Sequence, residues 1–125
     1  MKKLSLALFG ASALLAVAAA PSSAQVSCMP GDCWGAVAIG PGGAWAYAYN
    51  YPTRGSAARA AQRKCRGDCS NILTFHNSCG AYAQGPHGYG WGNAGTLRAA
   101  QIVAMQQCNA RSPNCVMRVS ACTQR

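Results

Sequence analysis

The chain has 125 residues, carries 11 lysines and arginines against 2 aspartates, and has a formal net charge of +9. With no glutamate in the sequence, the paired carboxylates of glycoside hydrolysis and the oxygen-rich cages that bind calcium or magnesium are nearly excluded. The positive charge favours anionic partners such as lipopolysaccharide, nucleic acid or acidic proteins, although charge kept for solubility is the alternative explanation.

The N-terminus has the pattern of a secretory signal peptide. Two lysines precede an apolar run over residues 4–20, and small residues stand just before Gln25. The run is short and has the wrong flanks for a membrane span. We therefore predict that residues 1–24 are removed, and that residues 25–125 form one domain without a membrane span, in the periplasm or outside the cell.

The first strands of that domain form a predicted hairpin. WGAVAI and AWAYAYNY alternate with a period of two on either side of a Pro-Gly turn. The second strand places alanines on one face and large rings on the other, where they could stack against sugars or unpaired bases. Since small residues pack well against large ones, we expect alanine-rich helices to cover the rings as ordinary core. Helices on the alanine face would instead leave the rings exposed as a binding platform. The predicted row comprises Trp45, Tyr47, Tyr49 and Tyr51, echoed later by Tyr89 and Trp91.

A basic helix follows this hairpin. Thr53 is a suitable N-cap for an alanine-rich helix over residues 54–66, and Gly67 marks its end. Its cations have no acids between them, so they repel one another unless an anion is nearby. The segment thus predicts a surface for an anionic ligand or acidic partner, with a solvated helix face as the alternative. Its cations are Arg54, Arg59, Arg63, Lys64 and Arg66.

Both histidines lie in the next segment, where NILTFHN predicts a third strand. His76 and His87 could act as the base and acid of a small ribonuclease, with Lys64 stabilising the phosphorane. His87, however, falls in a glycine-rich turn. We favour structural roles for both, and expect their ring nitrogens to be more than about 8 Å apart, too far for a shared phosphodiester.

The second half of the chain repeats the first. The turn at residues 40–43 matches residues 85–88, and Thr53, Cys65 and Cys79 match Thr96, Cys108 and Cys122. Each unit reads strand, turn, strand, helix, strand. The predicted fold is a small disulfide-rich α+β domain, in which two pseudo-repeated ββαβ units, at about 34–79 and 80–122, form an antiparallel sheet with two helices.

These motifs resemble a known family. The pattern W-G-A-hydrophobic-A at 34–38, the aromatic hairpin, the helix ending in Cys65 and DC-x5-F-x-N-x-C from Asp68 to Cys79, with a degenerate second copy, resemble domain-of-unknown-function family 4189. The resemblance covers about residues 33–122 and implies the fold and export from a bacterium. It departs from the family in lacking acids on the helices. It implies no catalytic residue, because the family has no agreed activity.

Eight cysteines in a short exported chain predict four disulfides. Spacings typical of zinc sites are absent, so we predict no metal and no cofactor. The repeat predicts a bridge at each corner after a helix, one between equivalent strand ends related by a two-fold axis, and one near the N-terminus. These pairs are Cys65 with Cys69, Cys108 with Cys115, Cys79 with Cys122, and Cys28 with Cys33.

The sequence therefore predicts an exported basic binding protein of the bacterial envelope, with an anionic ligand or acidic protein partner and no catalysis. Nucleic acid is among the candidate ligands. A small secreted ribonuclease and an inhibitor or immunity-type protein are the alternatives.

Overall fold

The computed structural model describes residues 28–124, so the predicted signal peptide lies outside the described residues. Each half of the described chain contains three strands and one α-helix. The first unit consists of β1 (Trp34–Ile39), β2 (Trp45–Tyr51), α1 (Arg54–Lys64) and β3 (Asn71–His76), with a short 3-10 turn at Pro41–Gly43. The second unit consists of β4 (Cys79–Gly85), β5 (Gly88–Ala94), α2 (Leu97–Asn109) and β6 (Val116–Cys122).

The strands form two three-stranded antiparallel sheets, one for each unit. The first sheet has the order β2-β1-β3 and the second has the order β5-β4-β6. Their inner faces pack together through Val37, Phe75 and Tyr82, and each outer face carries one helix. The predicted α+β class with two ββαβ units is confirmed, but the strands form two antiparallel sheets where the sequence predicted one. The strands divide between two sheets because each sheet has a second apolar face, which only the other sheet covers.

The helix α1 lies on the alanine face of the first sheet. Buried alanines of β1 and β2 meet buried alanines of the helix, so the two backbones approach closely. The expectation that the helices cover the large rings is therefore wrong for the first unit. The rings share the opposite face with the inner core, as the pairing of Tyr47 with Val37 shows. The alanines in contact are Ala36, Ala38, Ala48, Ala57, Ala60 and Ala61.

The helix α2 lies even closer to its sheet. Its backbone passes directly over Gly90 and Gly92 of β5, where an added Cβ would overlap backbone atoms of Ala104 and Ala100, respectively. The glycines in the second unit thus replace the alanines Ala46 and Ala48 of β2 as the smallest possible contact surface.

The inner core centres on Phe75. Its ring fills the space over Gly35 of β1 and Gly80 of β4, and a side chain at either glycine would overlap the ring. Tyr82 is also buried here, and this burial, with a smaller contribution from Tyr89, raises the pKa of the Tyr82 phenol to about 12.

Both helices begin at the predicted threonines. Thr53 accepts a hydrogen bond from the Ser56 amide and forms a reciprocal capping box with it, and Thr96 accepts one from the Ala99 amide. However, α1 ends at Lys64, two residues before the predicted end, so Arg66 is not on the helix. Within residues 28–124, neither helix is long and apolar enough to cross a membrane.

The structure contains four disulfides, and they join the same four pairs that the spacing predicts. The reason for the disulfide that closes the longest loop, Cys79–Cys122, differs from the expectation. Cys79 begins β4 and Cys122 ends β6, and the two stand directly opposite each other in the second sheet. They are thus cross-strand partners within one unit. The same position in the first sheet holds Trp34 opposite His76.

Candidate binding site on an exposed row of rings

Three aromatic side chains of β2 form what we call the ring row: Trp45, Tyr47 and Tyr49. Neighbouring rings are nearly parallel, with centroids 6.3 Å apart and planes 8° apart for Trp45 and Tyr47, and 6.1 Å and 11° for Tyr47 and Tyr49. They line up because alternate side chains of a strand point to the same face.

The ring row is exposed because β2 is an edge strand. The rings face the inner side of the first sheet, but only the edge strand β6 of the second sheet lies near them. Their exposed fractions are 49% for Trp45, 41% for Tyr47 and 50% for Tyr49, which is high for residues of this size. The three rings are therefore exposed, which is the arrangement treated above as the alternative to a core role.

Tyr51, the fourth ring of the predicted row, points elsewhere. The β1–β2 pairing shifts register between Trp34 and Ala36, and Asn50 has a positive φ of 61°. This irregularity interrupts the strict alternation of side chains. Tyr51 therefore packs, half-buried, against the alanine core under α1.

A first hollow of about 790 Å³ lies between the ring row and the end of α1. Lys64 and Arg66 line its far side, and the turn at Pro41–Gly43 lines one end. Both cations are exposed, and within the described residues neither has a salt-bridge partner. Because α1 ends at Lys64, Arg66 lies off the helix and apart from the predicted stripe.

A second hollow of about 420 Å³ lies between the ring row and β6. Its cation is Arg118, the extra residue of a β-bulge, since Met117 stands opposite Ala83 and Val119 opposite Tyr82. Bulges redirect side chains in this way. The Arg118 Nε donates to the Gln84 Oε1 at 3.1 Å, which fixes the guanidinium while its terminal nitrogens make no hydrogen bond within the described residues.

Hydrogen bonds lie just beyond Tyr49 and Cys122, two residues that line the second hollow. The backbone amide of Asn50 donates to the Thr123 hydroxyl at 3.0 Å. The Asn50 side-chain Oδ1 accepts from that hydroxyl at 3.0 Å and from the backbone amide of Gln124 at 2.8 Å. These bonds attach the end of β2 to the segment after β6. We call them the Asn50 clamp.

The other predicted cations lie away from the ring row. Arg59 and Arg63 are exposed on α1, which lies on the opposite face of the sheet. Arg54 sits over the Trp34 ring at 4.8 Å, a cation–π contact. The structure thus brings Lys64 and Arg66 to the rings and leaves Arg54, Arg59 and Arg63 apart from them.

The three residues of the ribonuclease hypothesis do not converge. His76 ends β3 just before β4 begins, and His87 lies in the turn after β4, so the length of that strand, about 20 Å, separates their positions. Arg54 contacts the Trp34 ring on which His76 stacks, and Lys64 lies at the other end of α1 from Arg54, about 15 Å away along the helix.

Each histidine has structural partners. The His76 ring stacks on Trp34 with centroids 4.4 Å apart, and its Nε2 lies 3.1 Å from the Asp32 Oδ1. The His87 amide donates to the Ser112 Oγ at 3.0 Å. Among the described residues, no three His, Cys, Asp or Glu side chains are grouped to hold a metal ion.

Sequence reasoning missed Arg118 and Asn50. The first depends on a bulge in β6 and the second on a backbone irregularity in β2, and neither leaves a pattern in the residue types. For Asn50 there was one weak signal, since asparagine tolerates a positive φ better than most residues.

Comparison with known proteins places the chain among mycobacterial relatives. It is 35% identical over 74 residues to Protein Rv1269c of Mycobacterium tuberculosis (strain ATCC 25618 / H37Rv) and to Protein Mb1300c of Mycobacterium bovis. The matched region covers 59% of this chain and 60% of each relative, so the chain spans less than two thirds of their length.

A solved structure has a similar fold. The NMR structure of Rv1813c from Mycobacterium tuberculosis is similar with a TM-score of 0.58 and 28% identity, covering 78% of this chain and 80% of that chain. Residues 34–122 match the family described as "Domain of unknown function (DUF4189)", which spans both ββαβ units. The chain therefore belongs to the DUF4189 family.

Proposed function

We propose that this protein is an exported, basic binding protein of the bacterial envelope, and that it holds an anionic ligand along the ring row. One observation carries the proposal: three exposed, nearly parallel rings lie between two hollows, of which the first is lined by two cations and the second by one, and no acidic residue among the described residues lines either hollow. Flat rings supply stacking surface, while cations without an acidic partner among the described residues supply charge for an anion.

The ring row is a better candidate than the outer surface of α1. Arg59 and Arg63 offer charge alone, and isolated exposed charges contribute little to affinity once salt screens them. At the ring row, charge and stacking act on the same ligand. The ring row is a narrow strip between two hollows, so it also suits a slender anionic ligand better than the broad surface of an acidic protein partner.

Export is supported by two features. The N-terminal sequence has the pattern of a signal peptide. The four disulfides are typical of proteins that work in an oxidising compartment such as the periplasm or the outside of the cell.

The test is a titration of the oxidised protein with dextran sulfate, followed by NMR. The three tryptophans are built-in reporters, because Trp45 lies in the ring row whereas Trp34 and Trp91 do not. We expect the indole signal of Trp45 to shift first, and the affinity to fall steeply as salt is added.

Two charge-matched variants locate the site. Lys64→Gln/Arg66→Gln and Arg59→Gln/Arg63→Gln each remove two positive charges, but only the first pair lines a hollow. We expect about a tenfold loss of affinity for the first variant and less than a twofold loss for the second, since nearby charges dominate at moderate salt. The reverse order would move the site to the predicted basic face of α1, and no shift at Trp45 would refute the proposal.

A further inference from the structure

Going one step further, and resting on the proposed function, we infer that the ligand is an acidic polysaccharide whose carboxylates project from both sides of the chain, as in a linear 1,4-linked polyuronate. The inference concerns the chemical class of the ligand, which the net charge alone does not determine. It follows from where the cations stand relative to the rings.

The first step is the distribution of the cations. Lys64 and Arg66 line the hollow on one side of the ring row, and Arg118 lines the hollow on the other. A ligand that stacks on the rings therefore meets positive charge along both of its edges. A single-stranded nucleic acid stacked through its bases carries its phosphates along one edge, and would leave one set of cations without a partner.

The second step is the shape of the platform. The three rings are nearly parallel and follow one straight strand at a spacing of 6.3 and 6.1 Å. A linear chain of pyranose rings presents a flat carbon–hydrogen face at each unit, which stacks against the negative face of an aromatic ring. In a 1,4-linked chain with a two-fold repeat, successive units are turned over, so their carboxylates alternate between the two edges.

The third step is the nature of the cations. Arg118 is fixed by Gln84, and its terminal nitrogens make no hydrogen bond within the described residues. The planar guanidinium fork matches a carboxylate in a bidentate geometry. A cation that is held in place before binding loses less conformational entropy when the anion arrives.

The experiment compares three probes on the oxidised protein: oligogalacturonate, the same oligomer fully methyl-esterified, and oligo(dT). We expect oligogalacturonate to bind most tightly, the ester to bind at least tenfold more weakly because it lacks charge, and oligo(dT) to bind more weakly than oligogalacturonate. The Trp45 indole signal reports occupancy of the ring row for each probe.

Variants then test separately the cations on the two sides of the ring row. Lys64→Gln/Arg66→Gln and Arg118→Gln should each weaken oligogalacturonate binding about fivefold or more, and Arg98→Gln, on the exposed start of α2, should leave it unchanged. Arg118→Lys keeps the charge but loses the fork, so we expect an intermediate affinity. The unfolding midpoint of each variant shows whether the fold is intact.

The outcomes separate the two proposals. If dextran sulfate shifts Trp45 but oligogalacturonate does not bind, the polysaccharide inference fails and the proposed function stands. Tighter binding of oligo(dT), with no effect of Arg118→Gln, would identify a nucleic-acid site instead and overturn the inference. If no anionic polymer shifts Trp45, both proposals fail.

Discussion

The second strands of the two units, β2 and β5, occupy equivalent edge positions but present their aromatic side chains in different ways. In β2 the ring row is exposed, and the structure shows no hydrogen bond from any of its three rings within the described residues. In β5 the equivalent side chains are engaged. The Tyr89 hydroxyl donates to Asn71 at 3.0 Å, Arg111 lies over the Trp91 ring at 5.0 Å, and Asn93 accepts from Ser78 at 3.0 Å.

This difference shows which face of the strands β2 and β5 is needed for the fold. The face toward the helix is made of alanine in β2 and glycine in β5, and in both units it is buried. The opposite face differs freely between the units, because only an edge strand of the other sheet lies near it. A duplicated unit can therefore keep its fold while one copy develops a binding surface and the other a stabilising network.

The largest expected effect concerns the disulfide that occupies the position of the Trp34–His76 stack. Replacing Cys79 and Cys122 by alanine should cost about 4 kcal/mol, against about 2 kcal/mol for the pair Cys65 and Cys69, because the loop it closes is longer. Denaturant unfolding of the oxidised proteins measures both. Equal losses would mean that loop length does not determine the contribution of these bridges.

The second largest expected effect on stability compares the contact of α2 with β5 and the contact of α1 with β2. Gly90→Ala adds a methyl group where the α2 backbone already touches the strand, so we expect a loss of about 3 kcal/mol from overpacking. Ala46→Gly at the equivalent position of β2 should cost about 1 kcal/mol, from the lost buried methyl group and the greater freedom of glycine. If Gly90→Ala is as stable as the natural sequence, then α2 can shift outward, and the closer packing of the second unit is not required.

The smallest effect tests the aromatic side chains themselves. Trp91→Ala should destabilise the fold by about 1 kcal/mol more than Tyr47→Ala, because it also loses the contact with Arg111. The two rings are equally exposed, at 41%, so burial contributes to this excess only through the larger size of tryptophan. Unfolding of Arg111→Gln and of the double variant with Trp91→Ala completes a cycle that isolates the cation–π contribution.

The repeat was the most informative feature of the sequence for the fold. Its matched threonines, glycines and cysteines predicted the element order, both helix caps and the class, since these residues act on their immediate neighbours. Which face of β2 the helix covers was predicted wrongly. Alanine can pack against either large or small residues, and the choice depends on the second sheet, which the pattern of one unit does not contain.

The candidate site was predicted only in part. The rings, Lys64 and Arg66 were identified as residues, but their proximity depends on α1 ending at Lys64 rather than two residues later. Arg118 was missed because a bulge brings it to the site. Side chains brought together across two sheets by local irregularities leave no periodic signal in a single sequence.

The Asn50 clamp makes the two ends of the ring row different. The hydrogen bonds from Asn50 to Thr123 and Gln124 lie just beyond Tyr49 and Cys122, which line the hollow beside β6, whereas the Pro41–Gly43 turn precedes Trp45 at the other end of the ring row. If a polymer follows the rings, as proposed, we expect it to finish at the clamp or to turn away from the protein there. Affinity should therefore rise with chain length only until the three rings are covered, and one terminus of the chain should be preferred over the other. A short oligomer labelled in turn at each end would reveal this polarity.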